Sequence, residues 1–309
     1  RGVPQGGGGG GGPPQPPSLP PEGFSRPPPP PPILPAMILA PAPALAFIAL
    51  LMLALPSAAM ARTASQDEVL SATLLPGWQT GTGAHMAGLR LDLAPGWKTY
   101  WRSPGDAGIP PQFDWSGSEN LKSVRIHWAA PVVFHTNGYQ TIGYKGGVVL
   151  PVELVARDPS RPVVLRAKVE LGICRDICVP AWLDLSADAA APGAPDAAIR
   201  AALAARPASA KEAGLTDVAC TVEPISDGLR VTATLALPPQ GGTEAVAFET
   251  ADPRVWVSEA ETMRQGAKLV SVAEMVGPGG QPFALDRSSV VLTVISDHGA
   301  VEIHGCPAP

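Results

Sequence analysis

The sequence lacks most features that mark nucleic-acid-binding, nucleotide-dependent or hydrolytic proteins. Charged residues make up only 16% of the 309, the formal net charge is −5, and the lysines and arginines form no cluster. Without a basic patch, neither nucleic acid nor an anionic membrane surface is an expected partner. No Ser-His-Asp order, phosphate-binding loop or paired carboxylates stand out, and the scattered methionines form no copper-binding motif.

Long helical periodicity is also nearly absent after residue 61, as is any further apolar run of membrane-spanning length. Short β-type runs alternate instead with turn signals such as Pro95-Gly96 and Asn137-Gly138. This spacing is typical of antiparallel sandwiches, whose two sheets bury alternate side chains. The predicted strands are Leu89–Leu93, Lys122–Trp128, Val148–Val155, Val163–Glu170, Trp182–Leu185, Leu229–Leu237, Ala245–Glu249, Val255–Ser258, Lys268–Met275, Val290–Ile295 and Val301–His304.

The amino-terminal part of the chain has the composition of a leader. Residues 1–36 are almost entirely glycine and proline and cannot bury a core, so we expect a disordered or mis-annotated low-complexity segment. Residues 37–61 are apolar and uncharged, and Ala59 and Ala61 form an Ala-x-Ala cleavage pattern. The pattern predicts a signal peptide and a protein that is soluble after its removal, with an uncleaved membrane anchor as the alternative.

The rest of the chain divides by composition into two β-sandwich domains and a connector. We predict a first domain at 62–187, an Ala/Pro-rich connector at 188–213 and a second domain at 214–309. Within the connector, Asp196 and Arg206 suit the two ends of a short helix. Six of the seven tryptophans and all three tyrosines lie in the first domain, which favours that domain as the recognition surface.

Four cysteines in an exported chain are most simply two disulfides, for which three connectivities exist. Cys220 and Cys306 lie at the two ends of the second domain. A bridge between them would close a loop of about 87 residues, worth roughly 4 to 5 kcal/mol in the chain-entropy model. We therefore expect Cys220–Cys306 to be a structural disulfide.

Cys174 and Cys178 are too close in sequence for their bridge to add much stability. The same chain-entropy model gives only about 2 kcal/mol for so small a loop. On one continuous strand the two residues would lie about 13 Å apart, beyond disulfide reach, so they must flank a turn. The β-type runs on both sides predict a hairpin with Arg175-Asp176-Ile177 at its tip.

A bridge at an exposed tip is more easily reduced than a buried one, which favours a redox-active pair. Arg175 would favour the Cys174 thiolate and Asp176 would oppose it, so no net effect is assigned. A purely local hairpin clip is the alternative. A zinc or copper site with His127 or His135 is a third possibility, although no histidine lies at ligand spacing from the pair.

Several sequence segments in the first domain resemble one protein family. They are Gly96-Trp97-Lys98-Thr99-Tyr100-Trp101-Arg102, Pro104-Gly105-Asp106, Pro110, Gly143-Tyr144, Val149-Leu150-Pro151-Val152, and Cys174-Arg175-Asp176-Ile177-Cys178-Val179-Pro180. From about residue 75 to 185 the chain resembles the amino-terminal domain of the thiol:disulfide interchange protein DsbD, particularly its ScsB-like branch. We expect the domain to stand alone, without the family's membrane and thioredoxin-like domains.

The resemblance implies a site as well as a fold. It implies immunoglobulin-like sandwiches, a redox pair Cys174/Cys178 whose partner meets Cys178, and Tyr100 beside the sulfurs. The region Phe134–Tyr139 resembles the family's cap loop, so His135 and Tyr139 join Arg175 and Asp176 as expected surroundings of the pair. DsbD itself has five residues between its cysteines and an acidic pair in the cap, whereas this chain has three residues and His135-Thr136.

The resemblance implies that the chain passes electrons between a separate inner-membrane electron carrier and periplasmic thioredoxin-like proteins. No small-molecule cofactor and no metal is implied. The alternatives are a non-enzymatic periplasmic β-sandwich binding or assembly module with purely structural disulfides, and a copper-handling protein. By the resemblance to ScsB-like amino-terminal regions, the second domain is expected to act as a scaffold or to dock partners.

Overall fold

A computed structural model describes residues 65–136 and 138–309, without the side chain of Thr136. The predicted low-complexity leader at 1–36 and signal peptide at 37–61 lie outside these residues. Among the residues described, no helix combines the length and the apolar character needed to cross a bilayer.

The chain is an all-β protein of immunoglobulin-like sandwiches, as the strand spacing and the resemblance predict. The first sandwich follows a short helix, α1 (Gln66–Val69). Its strands are β1 (Leu70–Gln79), β2 (His85–Leu93), β3 (Lys98–Tyr100), β4 (Gln112–Asp114), β5 (Leu121–Ile126), β6 (Val132–Thr136), β7 (Tyr139–Lys145), β8 (Gly147–Ala156), β9 (Val163–Cys174) and β10 (Cys178–Ala189).

The second sandwich follows helix α2 (Ala197–Ala204). Its strands are β11 (Ala208–Ser209), β12 (Asp217–Pro224), β13 (Leu229–Ala236), β14 (Ala245–Glu249), β15 (Trp256–Val257), β16 (Glu261–Gln265), β17 (Lys268–Val276), β18 (Val291–Ser296) and β19 (Gly299–His304). Two 3-10 turns, Pro278–Gly280 and Arg287–Ser289, lie between β17 and β18.

Each sandwich has two sheets. In the first sandwich the strand orders are β1-β2-β8-β5 and β10-β9-β3-β7-β6, with β4 pairing to β9. In the second they are β11-β19-β18-β14 and β12-β13-β17-β15, with β16 pairing to β17. All these pairings are antiparallel except β11 with β19. The short strand β3 therefore lies in the middle of its sheet, between β9 and β7.

Alternating apolar side chains from facing sheets form the cores. In the first sandwich, Leu89 and Val152 from one sheet pack in one cluster with Leu165 and Val169 from the other. A second cluster in the second sandwich brings together residues of β13, β14, β17 and β18. The two clusters are the physical reason why the runs of alternating apolar residues form strands.

The connector contains the helix predicted from its sequence. The Asp196 carboxylate accepts hydrogen bonds from the backbone N–H groups of Ala198 and Ile199, at 2.7 and 3.0 Å, and so caps the first turn of α2. Ile199 is fully buried. It packs over Gly88 in β2, where a β-carbon would approach the Ile199 side chain to 2.9 Å.

Arg102, just after β3, joins the two sandwiches. Its guanidinium donates hydrogen bonds to Glu249 of β14 at 2.8 Å and to Glu302 of β19 at 2.6 Å. Burial alone would raise the pKa of Glu302, but the hydrogen bond and charge of Arg102 outweigh it and hold that pKa below its usual value. The second sandwich therefore binds the first through Arg102, two residues after Tyr100.

Candidate functional site: a disulfide at a hairpin tip

The Cys174–Cys178 disulfide closes the hairpin formed by β9 and β10. The two cysteines are directly opposite each other, with their Cα atoms 4.1 Å apart. Twelve residue pairs continue the ladder from this point to Val163 and Ala189. The turn lies where the sequence spacing predicts it, and the Arg175 backbone N–H donates to the Ile177 carbonyl at 3.0 Å. The long ladder fixes the register of the hairpin, so the sulfurs face each other without help from the loop.

The two cysteines differ in their access to solvent. Cys174 is 2% exposed, whereas Cys178 is exposed at the tip. Ile177, between them, is 56% exposed, so the residue next to Cys178 in the turn leaves that side of the tip open to solvent. An incoming thiolate would therefore reach Cys178 first and leave Cys174 as the departing sulfur.

Tyr100, on the neighbouring strand β3, contacts both sulfurs through its hydroxyl group. Its hydroxyl oxygen lies 3.0 Å from Sγ of Cys174 and 3.4 Å from Sγ of Cys178. Because the sulfurs of a disulfide carry no proton, the phenol is the donor in both contacts. Tyr100 is 3% exposed, and burial raises the pKa of its phenol. The hydroxyl is therefore protonated at neutral pH and can donate to a thiolate that forms on Cys174.

A glycine makes room for this tyrosine. Gly172 of β9 precedes Cys174 by two residues and so lies on the same face of the sheet. A β-carbon at Gly172 would lie 3.2 Å from Cδ2 of Tyr100 and 3.0 Å from Cβ of Ile109. The missing side chain lets the ring pack closely against the strand.

Replacing Tyr100 with phenylalanine is expected to slow thiol–disulfide exchange about tenfold, because a hydrogen bond to a charged group contributes roughly 1.5–3 kcal/mol. The disulfide and the fold should remain. Stopped-flow rates with one small thiol at several pH values check this. Tyr139→Phe is the matched control, since Tyr139 is 63% exposed and, in the described part of the chain, the hydroxyl that contacts the sulfurs belongs to Tyr100. Equal rates for wild type and Tyr100→Phe would show that the Tyr100 hydroxyl does not stabilise the departing Cys174 thiolate.

The cap segment lies beside Cys174. Strands β6 and β7 form a hairpin, and Phe134 and His135 on β6 line a pocket of about 340 Å³ together with Cys174. Tyr139 is not among the residues that line it. Asn137, at the cap turn, lies outside the described residues.

The predicted neighbours Arg175 and Asp176 form an ion pair with each other. Arg175 Nε donates to the Asp176 carboxylate at 2.9 Å, and both side chains are exposed. The Arg175 guanidinium also lies 5.4 Å from the centre of the Trp97 ring. The guanidinium therefore stays at the tip, with its charge partly balanced by Asp176.

Sequence reasoning missed two lysines at the site. Lys98 on β3 is directly opposite Cys174 on β9 and Lys145 on β7, so the three residues form a row across three strands. Lys98 Nζ donates to Thr141 Oγ1 at 3.2 Å and lies 4.8 Å from the centre of the Phe134 ring. The sequence offered one signal for Lys98. It lies two residues before Tyr100, and alternate residues of a strand share a face, so Lys98 was expected on the same face as Tyr100.

The second disulfide lies in the core of the second sandwich. Cys220 of β12 and Cys306, just after β19, are both buried, and their Cα atoms are 5.4 Å apart. Arg287 Nη1 donates to the Cys220 carbonyl at 2.7 Å. This bridge joins two parts of the chain that are 86 residues apart, the pairing favoured by the loop-length argument.

Within residues 65–136 and 138–309, no three or more His, Cys, Asp or Glu side chains are grouped in a way that could hold a metal ion. All four cysteines of the chain lie in this part and are bridged.

Two of three comparisons relate the chain to known proteins. The family described as "Thiol:disulfide interchange protein DsbD, N-terminal" matches residues 71–188, which include both hairpin cysteines and the cap. Among solved structures, the N-terminal periplasmic domain of ScsB from Proteus mirabilis is similar, with a TM-score of 0.58 at 22% identity. The match covers 80% of this chain and 96% of that domain. A search of curated proteins finds no match.

The structural likeness covers both sandwiches and concerns the fold, whereas the family match is confined to the first sandwich and includes both hairpin cysteines. With the exposed Cys178, the buried Cys174 and the bridging Tyr100 in place, residues 71–188 of this chain are a DsbD amino-terminal-like thiol:disulfide interchange domain.

Proposed function

We propose that the chain is a periplasmic redox relay in which the Cys174–Cys178 pair carries two electrons between a separate inner-membrane carrier and thioredoxin-like proteins. The observation that carries the proposal is the asymmetry of the disulfide. One sulfur belongs to an exposed residue at a hairpin tip, and the other is buried under a phenol that can donate to it. The family match supports the thiol–disulfide chemistry.

The exchange proceeds in two balanced steps. A partner thiolate attacks Sγ of Cys178, the Cys174–Cys178 bond breaks, and a mixed disulfide to Cys178 forms while Cys174 leaves as a thiolate. Tyr100 donates its hydrogen bond to that thiolate. A second thiolate, the partner's other cysteine, then attacks the partner sulfur of the mixed disulfide and releases Cys178. The pair is now a dithiol, and the same steps in reverse deliver its electrons to an oxidised partner.

In this relay the second sandwich holds strand β3, which bears Tyr100, in place. Arg102 ties the segment after β3 to Glu249 and Glu302, so the strand that bears Tyr100 is fixed at its carboxyl end. A fixed strand keeps the phenol within reach of both sulfurs, and a small displacement of such a group would slow the reaction.

Mixing the reduced protein with an oxidised thioredoxin-like protein is expected to give stoichiometric transfer of two electrons, with Cys174 and Cys178 becoming bridged. Acid quenching, alkylation of free thiols and mass spectrometry measure the transfer on both proteins. A thioredoxin-like protein with its active-site cysteines replaced is the control. The relay proposal fails if neither mixture transfers electrons: the reduced hairpin stays reduced beside the oxidised partner, and the oxidised hairpin stays bridged beside the reduced partner.

A further inference from the structure

A groove on the outer face of the first sandwich lies along the hairpin that carries the disulfide. Three consecutive residues from each of β4, β9 and β10 line it, at 112–114, 168–170 and 182–184. Its volume is about 410 Å³, within the usual range of binding sites. The exchange steps above leave this groove unused.

Trp182 on β10 gives the groove an exposed aromatic side chain. It is 61% exposed and lies on the same face of the strand as Cys178, because alternate residues of a strand share a face. Four residues along a strand correspond to about 13 Å. A standard protein interface covers roughly 800 Å² on each partner, which is a patch of about 16 Å radius. A protein whose cysteine meets Cys178 therefore extends far enough to cover Trp182.

The direction of attack places the partner over β10. An attacking thiolate lines up with the bond that breaks, so it approaches Sγ of Cys178 from the side opposite Cys174. The two cysteines are directly opposite each other on β9 and β10, and β10 is the outermost strand of its sheet. The partner therefore approaches across the strand that bears Trp182.

The backbone of Trp182 already has hydrogen-bond partners at the edge of the sheet. Its N–H donates to Oε1 of Gln66 at 3.0 Å, and Nε2 of Gln66 donates to its carbonyl at 3.1 Å. A partner strand could pair with β10 at this residue only by displacing the Gln66 side chain. The exposed indole, rather than the backbone, is therefore what β10 offers a partner here.

Charge in the groove favours a cation. Its charged lining residues are Asp114, Lys168, Glu170 and Asp184, three acidic and one basic. Lys168 lies directly opposite both aspartates, whereas Glu170 lies directly opposite Trp182. Among the residues that the structure describes, the ion pairs include neither Glu170 nor Asp184. A cation next to the indole would therefore meet negative charge that the chain itself leaves unbalanced.

We propose that this groove is a docking surface for a basic segment of the thioredoxin-like partner, with a lysine or arginine side chain against the indole of Trp182. The inference rests on the proposed relay. A cation is attracted to the face of a tryptophan ring, and Glu170 and Asp184 add a Coulombic attraction. The groove thus favours partners that carry positive charge near their reactive cysteine, while the bond exchange itself stays at the two sulfurs.

Two cysteine peptides of about eleven residues are the matched probes. Each has a central cysteine, and four residues to either side one peptide carries lysine and the other glutamate, a spacing that spans the distance from Cys178 to Trp182. The peptide thiolate attacks Sγ of Cys178, and Cys174 leaves as a thiolate. A second peptide thiol then attacks the first peptide's sulfur. Two peptide thiols become one peptide disulfide, and their two protons end on Cys174 and Cys178.

Rates of reduction of the oxidised protein are measured at equal thiolate concentration. We expect the lysine peptide to react about fivefold faster than the glutamate peptide at low salt. The advantage should shrink when salt at about 0.5 M screens the charges. A lysine peptide that is no faster than the glutamate peptide at low salt, with no variant involved, overturns the docking surface.

Trp182→Ala is the second arm of the experiment. We expect the ratio of the lysine-peptide rate to the glutamate-peptide rate to fall about threefold, because the indole no longer attracts the cation. Trp256→Ala is the matched control, since it removes another exposed tryptophan, on β15 of the second sandwich. Equal ratios in Trp182→Ala and Trp256→Ala also overturn the proposal.

Glu170→Gln/Asp184→Asn tests the carboxylates separately. This variant should lose about threefold of the same ratio. Asp217→Asn/Glu223→Gln removes the same charge from exposed positions on β12 of the second sandwich and should keep the ratio of the wild type. If both double variants lose the preference equally, it comes from the net charge of the chain, and the docking surface is wrong.

Neutral dithiothreitol separates this inference from the relay itself. If dithiothreitol reduces the hairpin disulfide readily and the two peptides react at the same rate, the docking surface is wrong and the relay stands. If the disulfide resists dithiothreitol as well, the relay is wrong and the docking surface falls with it.

Discussion

The double change Cys174→Ser/Cys178→Ser is expected to abolish all thiol–disulfide exchange while both sandwiches stay folded. The bridge closes so small a loop that the chain-entropy model assigns it only about 2 kcal/mol. The hairpin is held by twelve residue pairs and by buried side chains such as Leu165 and Leu171, and neither depends on the sulfurs. Thermal unfolding and the two-electron transfer assay measure the two halves of this prediction on the same sample.

The single changes separate the two sulfurs. Cys174→Ser leaves the exposed Cys178 free, and this variant should trap a thioredoxin-like partner as a mixed disulfide. Cys178→Ser leaves only the buried Cys174 and should trap little. Exchange that persists in the double variant, or equal trapping by both single variants, contradicts the assigned roles.

Removing the Cys220–Cys306 disulfide is expected to lower the stability of the protein and to leave thiol–disulfide exchange intact. Cys220→Ala/Cys306→Ala should lower the free energy of unfolding by roughly 4 to 5 kcal/mol, since the bridge closes a loop of about 87 residues. A fall in Tm of about 10 °C or more is the corresponding thermal result. Both cysteines are buried in the core of the second sandwich, so alanine is the safer replacement. Urea unfolding and calorimetry, at matched protein concentration, measure the loss.

Exchange by Cys220→Ala/Cys306→Ala should persist at temperatures where it remains folded, because neither cysteine touches the hairpin site. The hairpin double variant is its natural control, as both variants lose two sulfurs and one bridge. Equal destabilisation by the two variants would contradict the division of labour between the disulfides. So would loss of exchange in a folded Cys220→Ala/Cys306→Ala protein.

Much of the site was predictable because it depends on local sequence. Three residues between Cys174 and Cys178 permit a bridge only across a turn, and the structure has the turn there. Ala245–Glu249 forms a strand with the predicted bounds. Its first four residues are all buried and turn segments lie on both sides, so the local sequence marks both ends of the strand. Asp196 caps α2 because a carboxylate before a helix meets unpaired N–H groups wherever the helix lies.

The missed strands are those in which local signals conflict with tertiary pairing. β1 contains Pro76-Gly77 and continues past it only through an irregularity between Leu75 and Trp78, where Gly77 has a φ of +69°. β3 has only three residues, too few to show alternation, yet it lies between two longer strands. Pairing with neighbours stabilises both segments, and a local pattern does not reveal neighbours.

The row of Cys174, Lys98 and Lys145 was out of reach for a further reason. Their proximity follows from the strand order β9-β3-β7, which brings together residues from three separate parts of the chain. The same holds for Arg102, whose partners Glu249 and Glu302 lie in the other sandwich. The sequence alone showed the motif that contains Lys98 and Arg102. It did not show that Lys145 faces Lys98 or that two glutamates face Arg102.

Graded reduction of the intact protein tests the central claim most directly. The oxidised protein is equilibrated in glutathione redox buffers, free thiols are alkylated, and the peptides with each cysteine pair are quantified by mass spectrometry. The account predicts that Cys174–Cys178 opens in buffers that leave Cys220–Cys306 closed, because a small-loop bridge with one exposed cysteine has a higher reduction potential than a bridge between two buried cysteines. If the hairpin bridge resists reduction as firmly as Cys220–Cys306, the pair is a structural clip and the relay account is wrong.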